Sequence, residues 1–191
     1  MSQSTSDSQL AQLLREAISK KRTYAGFWSW PDREVAELDV ARDLLESIAR
    51  ESGNDPWKVR SRGAGNDPPD CEAVDEHGKR VGIEVTELVD QQHAGGESTN
   101  WSEWDEVKTR AYVGERLARK DDPSKVKGGP YQHYYVILFT DEPMVPARRL
   151  RDLLQHVTFG PFRLIDRAWV LASYEPGEAV PHLALKISET S

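Results

Sequence analysis

Apolar and polar positions along the 191 residues switch between the helical and the strand period. Leu10, Leu13, Leu14, Ala17 and Ile18 recur at intervals of three and four, which predicts a short amphipathic helix up to Lys21. Phe27-Trp28-Ser29-Trp30 follows as an aromatic connector that pins this extension to the body. Val35, Leu38, Ala41, Leu45 and Ile48 form the stripe of a second helix, with Pro31 at its first position and Asp32 and Glu34 at the positive end of its dipole. It ends near Ser52-Gly53. Glu37 lies on a neighbouring face with Ala41, Leu44 and Ile48, a margin where an acid is ordinarily surface. Trp57-Lys58-Val59-Arg60 reads as a short strand, and the Gly-, Asn- and Pro-rich stretch 62–69 as a loop.

The next stretch reads as a β-hairpin over 70–88. A three-residue loop, Glu76-His77-Gly78, suits Gly78 in the left-handed conformation and pairs Asp75 with Lys79. Counting outward sets Asp70 opposite Glu84, with Cβ atoms about 4.5–5.5 Å apart. A four-residue loop would set Glu84 against Pro69 instead. Two carboxylates that close repel unless a proton or a cation lies between them. Val81, Ile83, Val85 and Leu88 mark a covered strand, where an unpaired acid is costly. The hairpin therefore predicts half of a divalent-metal site; the competing reading is an acidic hairpin with a solvated face. Cys71 follows Asp70 on the strand and points to the opposite face as a packed core thiol.

Residues 90–99 form a loop whose Gln91, Gln92 and His93 are within reach of a substrate or merely connect. Ser102 is the expected cap of a helix with the stripe Trp104, Val107, Ala111, Gly114 and Leu117, which turns Lys108 inward. A basic loop follows to Gly129. Tyr134 to Phe139 is an unbroken apolar run, the signature of a strand covered on both faces. Pro146 opens a helix with Leu150, Leu153, Leu154 and Val157 inward, and strands at 167–174 and 180–187 form an antiparallel pair. There is no internal repeat. The expected organisation is an extension over 1–30 and a single α/β domain over 31–191.

Composition narrows the classes. At 38% hydrophobic and 30% charged residues the chain reads as soluble and globular. No apolar run approaches the ~18–20 residues that span a bilayer, and the Ser-rich start is no secretory signal. Cys71 is the single cysteine, so no internal disulfide forms and a cytoplasmic location is expected. A net charge of −7 excludes a non-specific nucleic-acid coat protein but leaves room for an enzyme with a local basic groove. Lys20-Lys21-Arg22, the stretch 116–127 and Arg148-Arg149-Arg151 are the basic clusters. The five histidines have no zinc-like spacing. Neither a Gly-x-x-x-x-Gly-Lys phosphate loop nor a Gly-x-Ser-x-Gly elbow is present.

The order helix, strand, hairpin, helix, buried strand, with Pro69-Asp70 opening the second strand and Ile83-Glu84-Val85-Thr86 on the third, resembles the PD-(D/E)xK nuclease superfamily over residues 33–140. That superfamily holds restriction endonucleases, repair nucleases and Holliday-junction resolvases. The resemblance implies a restriction-endonuclease-like αβββαβ core with a mixed sheet between helices, here extended by a C-terminal helix and β-hairpin. It implies a magnesium or manganese ion held by Asp70, Glu84 and the Val85 carbonyl, with Glu37 as an additional helix acid. The family lysine falls at Thr86. In some members the lysine has moved to the following helix, which makes Lys108 the first candidate, ahead of Lys127 and Lys120. Arg119, Lys120, Lys125, Lys127, Arg148 and Arg149 would hold a nucleic-acid backbone, DNA rather than RNA. The implied activity is metal-dependent hydrolysis of phosphodiester bonds. The alternative is a catalytically inactive member that binds nucleic acid or another protein. The segment beyond residue 140 exceeds the minimal core and would serve substrate binding or a homodimer.

Overall fold

In a computed structural model, the structure describes residues 32–75, 77–89, 104–141, 145–173, 175 and 177–189. The predicted helix at 10–21, the connector at 27–30, Gln91, Gln92, His93 and the Ser102 cap lie outside the described residues.

The first described helix, α1 (Arg33–Ser52), starts where Asp32 caps it, its side chain accepting from Val35 N at 3.2 Å. It ends at Gly53, whose φ of +70° is the left-handed conformation of a C-cap. Strands β1 (Lys58–Ser61), β2 (Cys71–Val74) and β3 (Arg80–Glu87) follow as an antiparallel meander. Helix α2 (Glu106–Lys120) then leads to β4 (His133–Thr140), which runs parallel to β3. Helix α3 (Ala147–Leu154) and the two-residue β5 (Thr158–Phe159) precede β6 (Arg167–Ala172), parallel to β4. Strand β7 (His182–Ala184) returns antiparallel to β6, and β8 (Lys186–Ile187) pairs with β5. The result is a mixed α/β fold around a six-stranded sheet of order β1-β2-β3-β4-β6-β7. Among the described residues no helix is long and apolar enough to cross a membrane.

Side-chain alternation divides the core into two layers. Val81, Ile83, Val85, Tyr135 and Ile137 pack with Ala41 and Leu44 under α1. Val136, Leu138 and Val170 pack with Val113, Leu117 and Leu150 under α2 and α3. β4 contributes to both layers, as its unbroken apolar run predicts. Cys71 is fully buried in the α1 layer, where burial pushes its thiol up to about 12, so it is an inert core group.

Three expectations change. The inward side of α1 carries Ala36, Val40, Ala41, Leu44 and Leu45, while Val35 is 46% exposed. The inward side of α2 carries Thr109, Val113 and Leu117, and Val107 is 79% exposed. Its described cap is Asp105, which accepts from Lys108 N at 2.7 Å. The expected final strand divides at Leu185, because β8 leaves the main sheet to join β5.

Candidate functional site

The hairpin loop sets the geometry. Asp75 N donates to Lys79 O at 3.0 Å, Gly78 has φ +75°, and the ladder runs from Val74↔Arg80 to Cys71↔Ile83. The register predicted from the turn therefore holds, and Asp70, one residue before β2, stands in line with Glu84. Cys71 and Ile83 point into the α1 layer, so alternation turns Asp70, Gly82, Glu84 and Thr86 toward the α2 side. Asp70 and Glu84 are buried, at 7% and 2% exposure. Asp70 Oδ2 accepts from Val85 N at 2.8 Å. On an extended strand a residue's N–H and C=O point to the same side, so the Val85 carbonyl also faces Asp70.

Glu84 is held from two sides. Its Oε1 accepts from the Tyr134 hydroxyl at 3.1 Å, and its Oε2 pairs with Lys120 Nζ at 2.5 Å. Tyr134 is paired with Gly82 across β3 and β4 and reaches Glu84 by lying over that glycine. A Cβ at Gly82 would stand 2.9 Å from Tyr134 Cδ2 and 3.2 Å from Pro69 Cγ, too close to both. Gly82→Ala is therefore expected to destabilise the fold by about 1–3 kcal/mol through overpacking. Urea denaturation checks this; an unchanged midpoint would remove Gly82 from the account of the site.

Burial, then the proximity of Glu84 and Glu37, pushes the Asp70 carboxyl up to about 8, against the opposing Val85 N–H and Lys120. Burial also raises Glu37, although Arg33 Nε donates to its Oε1 at 2.5 Å. Burial and the adjacent Glu84 carboxylate raise the Tyr134 hydroxyl. Two hollows meet at this point and share Arg33, Asp67 and Asp70. One, of about 250 Å³, is lined further by Glu84, Arg119, Lys120, Lys125 and Tyr134. The other, of about 280 Å³, reaches Glu37, Ser61 and the glycines Gly63 and Gly65.

The structure brings together Asp70, Glu84, Glu37 and Lys120 from the expected set. Thr86 is buried on the face of Glu84, two residues further along β3. Lys108 is elsewhere: its ammonium lies 5.9 Å from the Trp104 ring centroid and 5.6 Å from that of Tyr112. Lys120 follows twelve positions later on α2, about 18 Å further along the helix axis. The inward stripe Val113-Leu117 continues to Lys120, so this lysine, and not Lys108, meets Glu84. Of the expected phosphate contacts, Arg119 and Lys125 line the hollow that holds Glu84, and Lys127 Nζ donates at 3.1 Å to O of Gly65, which lines the other hollow. Arg148 and Arg149 ride on α3, which packs over α2 and β7 at the other end of the sheet, and they line neither hollow. Tyr134, Gly82 and Arg33 were not expected at the site. The one sequence signal for Tyr134 is its position at the start of the buried strand.

The donor set suits a hard cation. Two buried carboxylates and a backbone carbonyl offer oxygen only, and magnesium accepts few protein oxygens because it keeps several waters. Burial, with the neighbouring acids adding to it, holds Asp70 protonated near neutral pH, and a divalent charge would relieve both. Among the described residues no group of three His, Cys, Asp or Glu side chains is gathered to hold an ion, so water or substrate would complete the coordination. No protein-family model, no curated protein and no solved structure matches the chain.

Proposed function

We propose that this protein is a metal-dependent phosphodiesterase that hydrolyses DNA, built on a PD-(D/E)xK-like core. The observation that carries the reading is the meeting of Asp70 and Glu84 from adjacent strands with the ammonium of Lys120 on Glu84 Oε2 at 2.5 Å. Asp70, Glu84 and the Val85 carbonyl would hold magnesium or manganese, which supplies a bound water of lowered pKa and positive charge against the scissile phosphate. Lys120 approaches from the C-terminal end of α2 and offers its charge to the phosphate oxygens, the part that a lysine at Thr86 would otherwise take. Tyr134 fixes the Glu84 side chain, so its second oxygen stays aimed at Lys120. Arg33 and Arg119 on the rim of the hollow neutralise the approaching strand.

Two observations favour a second reading, a binding module without catalysis. Thr86 carries no charge, and Lys120 already occupies one oxygen of Glu84. Incubation of plasmid and single-stranded DNA with magnesium or manganese separates the two. Wild type is expected to nick or degrade DNA, and Glu84→Ala to leave it intact. Equal products from both proteins would end the enzyme reading.

A further inference from the structure

Glu72 lies on the same face of β2 as Asp70, two residues along, or about 7 Å on an extended strand. That distance is on the scale of one nucleotide step. Its side chain is 6% exposed, and three arginines converge on it. Arg60 comes from the facing position on β1 and bonds Oε1 through both Nε and Nη2. Arg62 Nη1 reaches Oε2 at 3.1 Å, and Arg80 Nη2 reaches it at 2.9 Å. The Tyr131 hydroxyl donates to the same oxygen at 3.2 Å, and Arg80 stacks on the Tyr131 ring at 4.8 Å.

One buried carboxylate needs one cation, and a bidentate arginine satisfies it. Three guanidinium groups around a single acid leave a surplus of two positive charges in a protein whose net charge is −7. Arg62, 14% exposed, is otherwise spent inside the protein, on the Tyr131 hydroxyl at 2.9 Å and Asn66 O at 3.2 Å, and Arg80 Nη2 also donates to Gly128 O at 3.0 Å. Arg60 is 77% exposed and Arg80 36%, so both present guanidinium edges to solvent. Lys58 alternates onto the same side of β1 as Arg60, and Lys127 lies beside the loop that carries Arg62 and Gly65. The cations thus form one patch centred two residues along β2 from the carboxylate pair.

We propose that Arg60 and Arg80, held in place by Glu72 beside the buried Arg62, form a phosphate-binding subsite that holds the nucleic-acid backbone next to the cleavage position. The proposal rests on the phosphodiesterase reading for its ligand but not for its test. Glu72 gathers the three guanidiniums and holds them apart in a fixed array. Arg60 and Arg80 then each offer outward donors to phosphate oxygens, in the planar geometry that suits them. Because the contacts touch no base, the subsite carries affinity and strand register and no sequence preference.

The test is fluorescence anisotropy of labelled single-stranded and duplex oligonucleotides in a chelator, so that nothing is cleaved, across a salt series. Arg60→Ala/Arg80→Ala is expected to bind about tenfold more weakly at low salt and to lose about two from the slope of log affinity against log salt. Arg60→Lys/Arg80→Lys should keep most of that slope. Arg60→Ala alone, at the most exposed of the three, should lose about one and guards against a folding defect in the double variant. Unchanged affinity and slope in Arg60→Ala/Arg80→Ala overturns the subsite, even if wild type cleaves DNA. Weakened binding supports it, even if wild type cleaves nothing with any metal, in which case the hydrolase reading alone falls.

Discussion

Asp70→Asn will melt at a higher temperature than wild type near pH 8 and will no longer cleave DNA. The stability gain follows from burial. The carboxyl is pushed from its ordinary 3.8 up to about 8, so the folded state binds its proton more tightly than the unfolded chain does. Its stability contribution is fully present below 3.8, is lost as pH rises through that window, and is gone above about 8. The loss is on the order of a few kcal/mol. An asparagine oxygen still accepts from Val85 N, and its amide donates toward the neighbouring acids, so the substitution removes charge and keeps the hydrogen bond. The melting-temperature difference between the two proteins should widen from pH 4 to pH 8. Parallel curves across that range would discard the buried-acid account. Manganese is expected to reverse the order, stabilising wild type through mass action and leaving Asp70→Asn where it was. A site that costs stability until it is loaded is expected of a binding centre and is hard to explain as structure alone.

The register of this site was legible because short-range rules determine it. Gly78 and the Asp75 side chain, which accepts from His77 N at 2.9 Å and Lys79 N at 2.8 Å, define the loop length. Strict alternation then carries the pairing out to Asp70 and Glu84. The phase of the helices was less legible. Thr109 reads as polar, which rotates the expected stripe of α2 toward Val107 and Ala111. In the fold Thr109 is fully buried, because its Oγ1 donates to Asp105 O at 2.6 Å and needs no water. The same error of phase ranked Lys120 behind Lys108. Glu37 looked like a surface acid for a similar reason: the apolar residues on its side of α1 are alanines and leucines shared between two possible faces. Strands β5 and β8 have two residues each and exist only through their mutual pairing, so no local period announces them.

Lys120→Ala is expected to lower the cleavage rate about 10²–10³-fold, the usual cost of losing one preorganised charge at a reacting oxyanion, while Lys108→Ala cleaves at the wild-type rate. The contrast follows from position alone, since Lys120 bonds Glu84 and Lys108 stacks on Trp104 and Tyr112. Lys120→Ala also deprives buried Glu84 of its cation and should cost about 1–3 kcal/mol in urea denaturation, so rates are to be compared below the unfolding temperature of each protein. The deciding variant restores charge from the other strand position. Thr86 shares the Glu84 face, about 7 Å along β3, and a lysine there stands where the PD-(D/E)xK pattern places one. Lys120→Ala/Thr86→Lys should recover part of the lost rate, because the chemistry asks for an ammonium near the phosphate and not for a particular backbone to carry it. A folded double variant with no recovery, or a Lys108→Ala protein as slow as Lys120→Ala, would show that the lysine has not moved to the end of α2.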